Sequence, residues 1–473
     1  MTFHVWVFLA YFAVIFGIGW YSFRRTSGEA DYWIAGGKLG WALGGATLAA
    51  THTSAGTFIG TIGVMYTVGW SFGWLVLTIP LAYWFTAAVL APRFTRIRQL
   101  TLPAFMEARY GSKGIRGLSA IIILVATVVY IQAQIVAGGL IANIVFGVPV
   151  QWGMVGFTVI LLAYTVIGGM VAVVYTDFIQ LVIMILGVVL AVPLAIRQVD
   201  GVENLFTLVH SVNPLTFTWE GLPGTLLFTM GLAFLLGSVA TPEKLIRLYA
   251  MKDMPTIRRG ILFAILVITG VNLLVFILSL ASVVLFPVLP TGDLAMPMVA
   301  RAVLPPTLGA LMLAAITSAM MSTVDSLLIV AGSALSHDLF QSLFFPGASE
   351  RQKVMVDRLG ILVVGCIPVI LLLTGVGEGE LVQFIVLLFS ALMAAAFFVP
   401  VVLGVYWRRA TKAGAAAAML GGAAVTFLWK GFGLETIDPV LPGFLASLLL
   451  MVLVSCFTEP PPGAVVQRYF PSG

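Results

Sequence analysis

The chain alternates long apolar runs with short polar segments along nearly its whole length. A helix needs about 20 apolar residues to cross a bilayer. Runs of this kind predict thirteen membrane-spanning helices, at about 3–23, 40–67, 70–91, 117–146, 151–168, 172–197, 223–242, 260–289, 303–340, 357–374, 380–405, 413–430 and 439–457. The pattern therefore predicts an all-α integral membrane protein without a soluble domain.

Basic residues alternate between the two sides of this predicted bundle. With the amino terminus outside, 21 of the 24 Lys and Arg residues fall in cytoplasmic segments, Lys244 and Arg247 among them, and Arg197, Arg301 and Lys430 remain outside. This asymmetry follows the positive-inside rule. It predicts a multi-pass protein of the cell inner or plasma membrane, with its carboxyl terminus in the cytoplasm.

Composition agrees with this prediction and narrows the function. Charged residues make up 9% of the chain and hydrophobic residues 60%, whereas about 25% of a soluble domain is charged. The net charge of +5 is explained by the cytoplasmic segments, so no nucleic-acid partner is expected. We find no nucleotide-binding glycine loop, metal-ligand spacing or nucleophile constellation, which argues against an enzyme and against direct ATP driving.

The span at 303–340 carries the densest polar cluster, Ser318 to Ser326. Ser322, Asp325 and Ser326 stand at i, i+3 and i+4, so their oxygens share one helical face. Such a face suits a small hard cation, and a buried charge is costly unless it has a partner. Alternatively, the hydroxyls bond to their own helix and Asp325 pairs with a buried base.

Two other spans have the composition of interrupted helices. The second holds small and hydroxylated residues from Gly44 to Thr57, with His52 in their midst, and the seventh contains Gly237, Thr241 and Pro242. Paired interruptions of this kind indicate a central binding site in secondary transporters. Close packing of small residues is the alternative explanation for the second span.

A further acid lies in the sixth span. Asp177 and Gln180 share a face, and unless Asp177 snorkels to the cytoplasmic surface it is buried. Away from span ends, Asp177, Asp325 and His52 are the only ionisable side chains that we place inside the bundle. Since no Lys or Arg is expected at that depth, the predicted partner is a bound cation or a proton.

Several motifs together resemble the sodium:solute symporter family of carriers for proline, pantothenate, monocarboxylates, sialic acid, sugars and iodide. They are Asp31–Gly37, Ser54–Gly60, Thr101–Pro103 with Arg109–Gly111, Gly168–Gly169 with Tyr175–Gln180, Pro242–Arg247, His337–Leu339, and Gly404–Arg409 with Gly414–Ala415. The resemblance implies a leucine-transporter-type fold, a five-plus-five inverted repeat. In one polytopic domain, 1–38 would be a leading helix and loop, 39–405 the repeat core, and 406–473 two added helices and a tail.

The resemblance also implies ion sites. The main sodium site would use the carbonyls of Ala50, Thr53 and Ala319 and the hydroxyls of Ser322 and Thr323. Some members have a second sodium site, whose side chains match Asp177, Ser322, Asp325 and Ser326. This sequence departs from several members in having Asp325 in place of a hydroxyl, which would strengthen cation binding or admit a proton.

The implied function is a sodium-coupled symporter that imports a small organic solute by alternating access. A carboxylate-bearing metabolite (an amino acid such as proline, pantothenate or a monocarboxylate) would contact His52, Thr53, Ser54 and Thr57. One alternative is a proton-coupled carrier with Asp325 or Asp177 as the titrating group. The other is a membrane sensor or channel. The expected partners are the solute, sodium ion and the lipid bilayer.

Overall fold

The computed structural model describes residues 3–23, 35–96, 99–377, 379–434 and 436–470. The predicted cytoplasmic residues Arg24, Arg25 and Arg98, and residues 31–34 of the first motif, lie outside these ranges. Within the described ranges, eleven helices are long and apolar enough to cross a membrane, and Gly56–Val68 and Val150–Ala163 are shorter apolar helices. The all-α membrane fold is confirmed, while the count of thirteen crossings stays a prediction.

Seventeen helices are described here in chain order. They are α1 (Phe3–Phe23), α2 (Trp41–His52), α3 (Gly56–Val68), α4 (Trp70–Phe94), α5 (Leu102–Tyr110), α6 (Lys113–Phe146), α7 (Val150–Gln198), α8 (Val202–Val212), α9 (Gly224–Ala240), α10 (Pro242–Ala250), α11 (Met254–Leu285), α12 (Pro306–Phe344), α13 (Glu350–Leu373), α14 (Val382–Tyr406), α15 (Lys412–Gly431), α16 (Val440–Phe457) and α17 (Gly463–Tyr469).

Two crossings are interrupted, as predicted. The helix α2 ends at His52, Thr53 is extended (φ −76°, ψ 100°), and α3 then continues the crossing. Likewise Thr241 is extended (φ −74°, ψ 129°) between α9 and α10. Pro242 favours the second break because it has no N–H to donate to the preceding turn. Each break leaves backbone groups at helix ends inside the bundle.

The helix α12 lies at the centre of the bundle and is buried along its apolar length. It packs against α1, α2, α6, α7 and α13. Its Gly, Ala, Ser and Thr residues allow the neighbouring backbones to approach closely. A non-helical Gly169 (φ 64°, ψ 179°) divides α7 into two segments, and that positive φ is a conformation that glycine adopts easily. The segment of α7 that follows Gly169 includes Asp177.

The structure corrects three predictions. Lys244 and Arg247 belong to α10, where Arg247 is fully buried and Lys244 lines an internal cavity, so neither is part of a cytoplasmic loop. Pro242 begins a new half-helix, α10, and the chain continues through the protein. The sequence pattern had instead predicted that the crossing ends at Pro242. The expectation that no basic side chain lies deep in the bundle is therefore wrong. The expectation that Asp177, Asp325 and His52 are its only ionisable side chains is also wrong, because Arg247 and Glu243 are buried there. Asp177 is fully buried and does not snorkel.

Outside the spans, Asp293 joins three elements. It lies in a short helical segment between α11 and α12, and its Oδ2 accepts a hydrogen bond of 3.0 Å from the Val382 N–H at the start of α14. A Cβ at Gly63 of α3 would stand 2.7 Å from Asp293 Oδ1. Burial raises the pKa of the Asp293 carboxyl to about 7. This carboxylate therefore connects α3, the second half of the first broken crossing, to α14.

We predict that Asp293→Asn changes the pH dependence of stability. Because the folded-state pKa of Asp293 is raised, the folded protein loses stability as the pH rises from about 4 to about 7. Asparagine keeps an acceptor for the Val382 N–H but cannot ionise. Relative to wild type, the variant should therefore gain stability across this interval, by a few degrees in the unfolding midpoint of the purified protein.

The matched control is Asp293→Ala, which leaves the Val382 N–H without its acceptor and should lower the midpoint at every pH. A midpoint difference between wild type and Asp293→Asn that does not change with pH would contradict this assignment.

Candidate sodium and solute sites

Five oxygen-bearing residues meet where the end of α2 packs against α12. Ser322 Oγ lies 3.0 Å from the Ala50 carbonyl oxygen and 3.2 Å from that of Ala319. Thr323 Oγ1 lies 3.1 Å from the carbonyl oxygens of both Thr51 and Ala319. All five residues are buried. Oxygens at these separations can contact one small hard cation together, since such ions bind several oxygens at about 2.4 Å.

Four of the five residues predicted for the main sodium site belong to this cluster: Ala50, Ala319, Ser322 and Thr323. The fifth, Thr53, follows at the break and is buried, and its hydroxyl has no hydrogen-bond partner among the described residues. Sequence reasoning missed the Thr51 carbonyl, which lies in the last turn of α2, where carbonyls have no partner within their own helix. The predicted interruption of this crossing could have identified the Thr51 carbonyl, because a helix end leaves its last carbonyls unpaired.

A cavity begins directly beyond the break. The predicted solute residues His52, Ser54 and Thr57 all line it, and its volume is about 40 Å³. The His52 ring stands edge-on to Tyr83, and its Nδ1 is buried without a hydrogen-bond partner among the described residues. A volume of this size holds only a few waters, so the walls must separate to admit a metabolite.

Other polar side chains in the cavity wall were not predicted. Lys244 lines it from the start of α10, and its Nζ lies 3.4 Å from Ser238 Oγ near the end of α9. Gln383 of α14 also lines it, and its Oε1 lies close to Gly56 and Gly60 of the first broken crossing. Lys244 was missed because it was assigned to a cytoplasmic loop. The Thr241–Pro242 break was the signal for its true position.

Asp177 and Ser326, both predicted for the second sodium site, contact the same side chain. The Arg247 Nη2 lies 3.2 Å from Asp177 Oδ2 and 2.6 Å from Ser326 Oγ. Arg247 Nε donates to Thr47 Oγ1 at 2.8 Å, and Thr47 in turn donates to Asp177 at 2.5 Å. The chain thus supplies its own cation between two of the predicted ligands. A second sodium site here stays a prediction.

Asp325, the third residue of that prediction, is also fully buried. Its Oδ1 accepts a hydrogen bond of 2.5 Å from Thr165, which precedes Gly169 in α7. Adjacent positions on a helix point about 100° apart, so Asp325 and Ser326 contact different neighbours. The alternative that Ser and Thr hydroxyls bond back along their own helix also holds in part, since Ser326 donates to the Ser322 carbonyl at 2.7 Å.

We predict that Asp177→Asn destabilises the protein by about 3–5 kcal/mol, because it leaves the buried Arg247 guanidinium without its carboxylate. Arg247→Met alone should be destabilising for the same reason. The double variant Asp177→Asn/Arg247→Met should recover much of the loss, as measured by chemical unfolding. Strictly additive losses would mean that the pair does not interact.

Comparison with known proteins assigns the chain to a family. The model of the sodium:solute symporter family matches residues 32–422. The osmoregulated proline transporter OpuE of Bacillus subtilis (strain 168) is 30% identical over 97% of this chain and 96% of its own length. The sodium/pantothenate symporter of Escherichia coli (strain K12) is 28% identical over 97% of both chains.

Among solved structures, a Na⁺-coupled sialic acid symporter superposes with a TM-score of 0.83 at 20% identity, covering 97% of this chain and 98% of its own. The predicted leucine-transporter-type fold is thereby confirmed. The predicted class of function, a sodium-coupled symporter for a small organic solute, is confirmed as well. The chain belongs to the sodium:solute symporter family.

Proposed function

We propose that this protein imports a small carboxylate-bearing metabolite together with sodium, by alternating access. The observation that carries the proposal is the convergence of Ser322 and Thr323 on the carbonyls of Ala50, Thr51 and Ala319. A cation at this position would bind α12 to the inner end of the broken α2. Proline and pantothenate, the solutes that the names of the two relatives give, both bear a carboxylate.

The solute site is proposed at the neighbouring cavity, with His52, Ser54 and Thr57 as contacts. Ala50 and His52 are two residues apart in the same last turn of α2. An ion that fixes the carbonyl of Ala50 therefore also fixes the backbone that carries His52. Binding of the solute would be favoured when the ion is present, and the reverse holds by thermodynamic linkage.

Coupling to sodium is tested by replacing it with choline at constant pH in proteoliposomes. The proposal expects uptake of the solute to fall to the level of protein-free vesicles. Full uptake in choline, abolished when the proton gradient is collapsed, would instead favour proton coupling through a buried carboxylate such as Asp325.

We predict that Ser322→Ala raises the sodium concentration for half-maximal response about tenfold, because one of the oxygen ligands is lost and each 1.4 kcal/mol corresponds to a factor of ten. The measurement is the sodium-dependent thermal shift of the purified protein. Ser333→Ala is the matched control, since Ser333 is also buried in α12 and donates to a backbone carbonyl of its own helix at 2.8 Å. Equal sodium responses in the two variants would contradict the site.

The carboxylate is tested by competition. If amino acids, pantothenate and short carboxylates all fail to compete with uptake of the solute that the vesicles accumulate, the proposed solute class is wrong. Transport of a neutral sugar in their place would also contradict that class, while leaving the sodium site unaffected.

A further inference from the structure

The solute cavity contains one fixed positive charge. The Lys244 ammonium lines it at the break between α9 and α10, and its nearest hydrogen-bonding partner, Ser238 Oγ, is neutral and 3.4 Å away. No carboxylate of the described residues forms an ion pair with Lys244, and no Asp or Glu of the described residues lines this cavity. The cavity wall is thus cationic.

Charged neighbours of Lys244 are located outside the cavity wall. Glu243 is the adjacent residue and is buried. It does not line the cavity, but its carboxylate and the Lys244 ammonium attract each other. Arg247, one turn further along α10, is held by Asp177 and Ser326. The positive charge that faces the solute therefore belongs to Lys244.

Two further groups in the same place favour an anion. The helix α10 begins at Pro242, so the positive end of its dipole lies beside Lys244. His52 also lines the cavity, and its ring Nδ1 has no hydrogen-bond partner among the described residues. Both groups can donate to, or orient, a carboxylate.

We infer that Lys244 selects solutes of net negative charge: carboxylates that carry no ammonium group. This inference rests on the proposed function and narrows it. A carboxylate placed beside the half-buried Lys244 ammonium gains an attraction that is stronger than in water, because the protein around it screens charge less. A zwitterion would bring its own ammonium into a wall that offers no carboxylate and already holds a cation. Selectivity then comes from repulsion of the wrong solute as well as attraction of the right one.

The inference separates this chain from the proline transporter that it resembles at 30% identity. Proline carries both a carboxylate and an ammonium. It therefore belongs to the proposed solute class but lacks the net negative charge that we infer Lys244 selects. An α-amino acid and the acid of the same carbon skeleton without the amine are therefore the most informative pair of probes.

The experiment measures thermal stabilisation of the purified full chain in sodium. Propionate, lactate and pyruvate serve as anions, alanine and proline as zwitterions, and propionamide as the neutral analogue. We expect at least one anion to stabilise wild type with a half-saturation at least about tenfold lower than that of any zwitterion or the amide. Zwitterions that bind as tightly as the anions would overturn the inference and leave the proposed carboxylate class intact.

Two substitutions connect the selectivity to Lys244. Lys244→Met should weaken binding of the anion by about 30-fold or more, whereas Lys244→Arg, which keeps the charge, should stay within about tenfold of wild type. Lys113→Met is the surface control, because Lys113 is exposed at the start of α6. A sodium-dependent thermal shift in each variant verifies that it folds. Unchanged anion binding in Lys244→Met would overturn the inference. If wild type instead binds only neutral solutes, the proposed function fails together with it.

Discussion

The structure depends on one constraint, which is that polar groups at membrane depth must find partners within the protein. Two crossings break at Thr53 and Thr241 and thereby leave backbone carbonyls and N–H groups inside the bundle. The central helix α12 supplies hydroxyls to the first break through Ser322 and Thr323. Lys244 places a positive charge beside the second break. The proposed ion site and the proposed solute cavity thus both lie where a helix is interrupted inside the bundle.

The position of the two sites along α2 gives a physical basis for coupling. The carbonyls of Ala50 and Thr51 face α12, and His52, the next residue, faces the cavity. Coupling between the proposed ion and solute sites needs no long pathway, because a single helical turn of α2 carries the contacts of both. Behind it, Arg247 ties α10 to α2, α7 and α12 through Thr47, Asp177 and Ser326. A fully buried polar network therefore connects the two broken crossings.

Much of this architecture could be predicted from the sequence because the relevant signals are local. Apolar length gives the crossings, and Ser322 and Ser326 are one helical turn apart. Their neighbour Asp325 shows the limit of such reasoning, since spacing alone did not reveal that it accepts a hydrogen bond from Thr165. Arg247 was misassigned because a basic residue after a proline looks like the start of a loop. Its partner Asp177 is 70 positions away along the chain, a distance over which periodicity carries no information.

The central claim is that a sodium ion joins the broken α2 to α12, and an experimental structure determined in sodium tests it most directly. We expect cation density at about 2.4 Å from the carbonyl oxygens of Ala50 and Ala319 and from Ser322 Oγ, the distance typical of oxygen around hard cations. Density for the ion elsewhere, with Ser322 and Thr323 turned away from the end of α2, would contradict it.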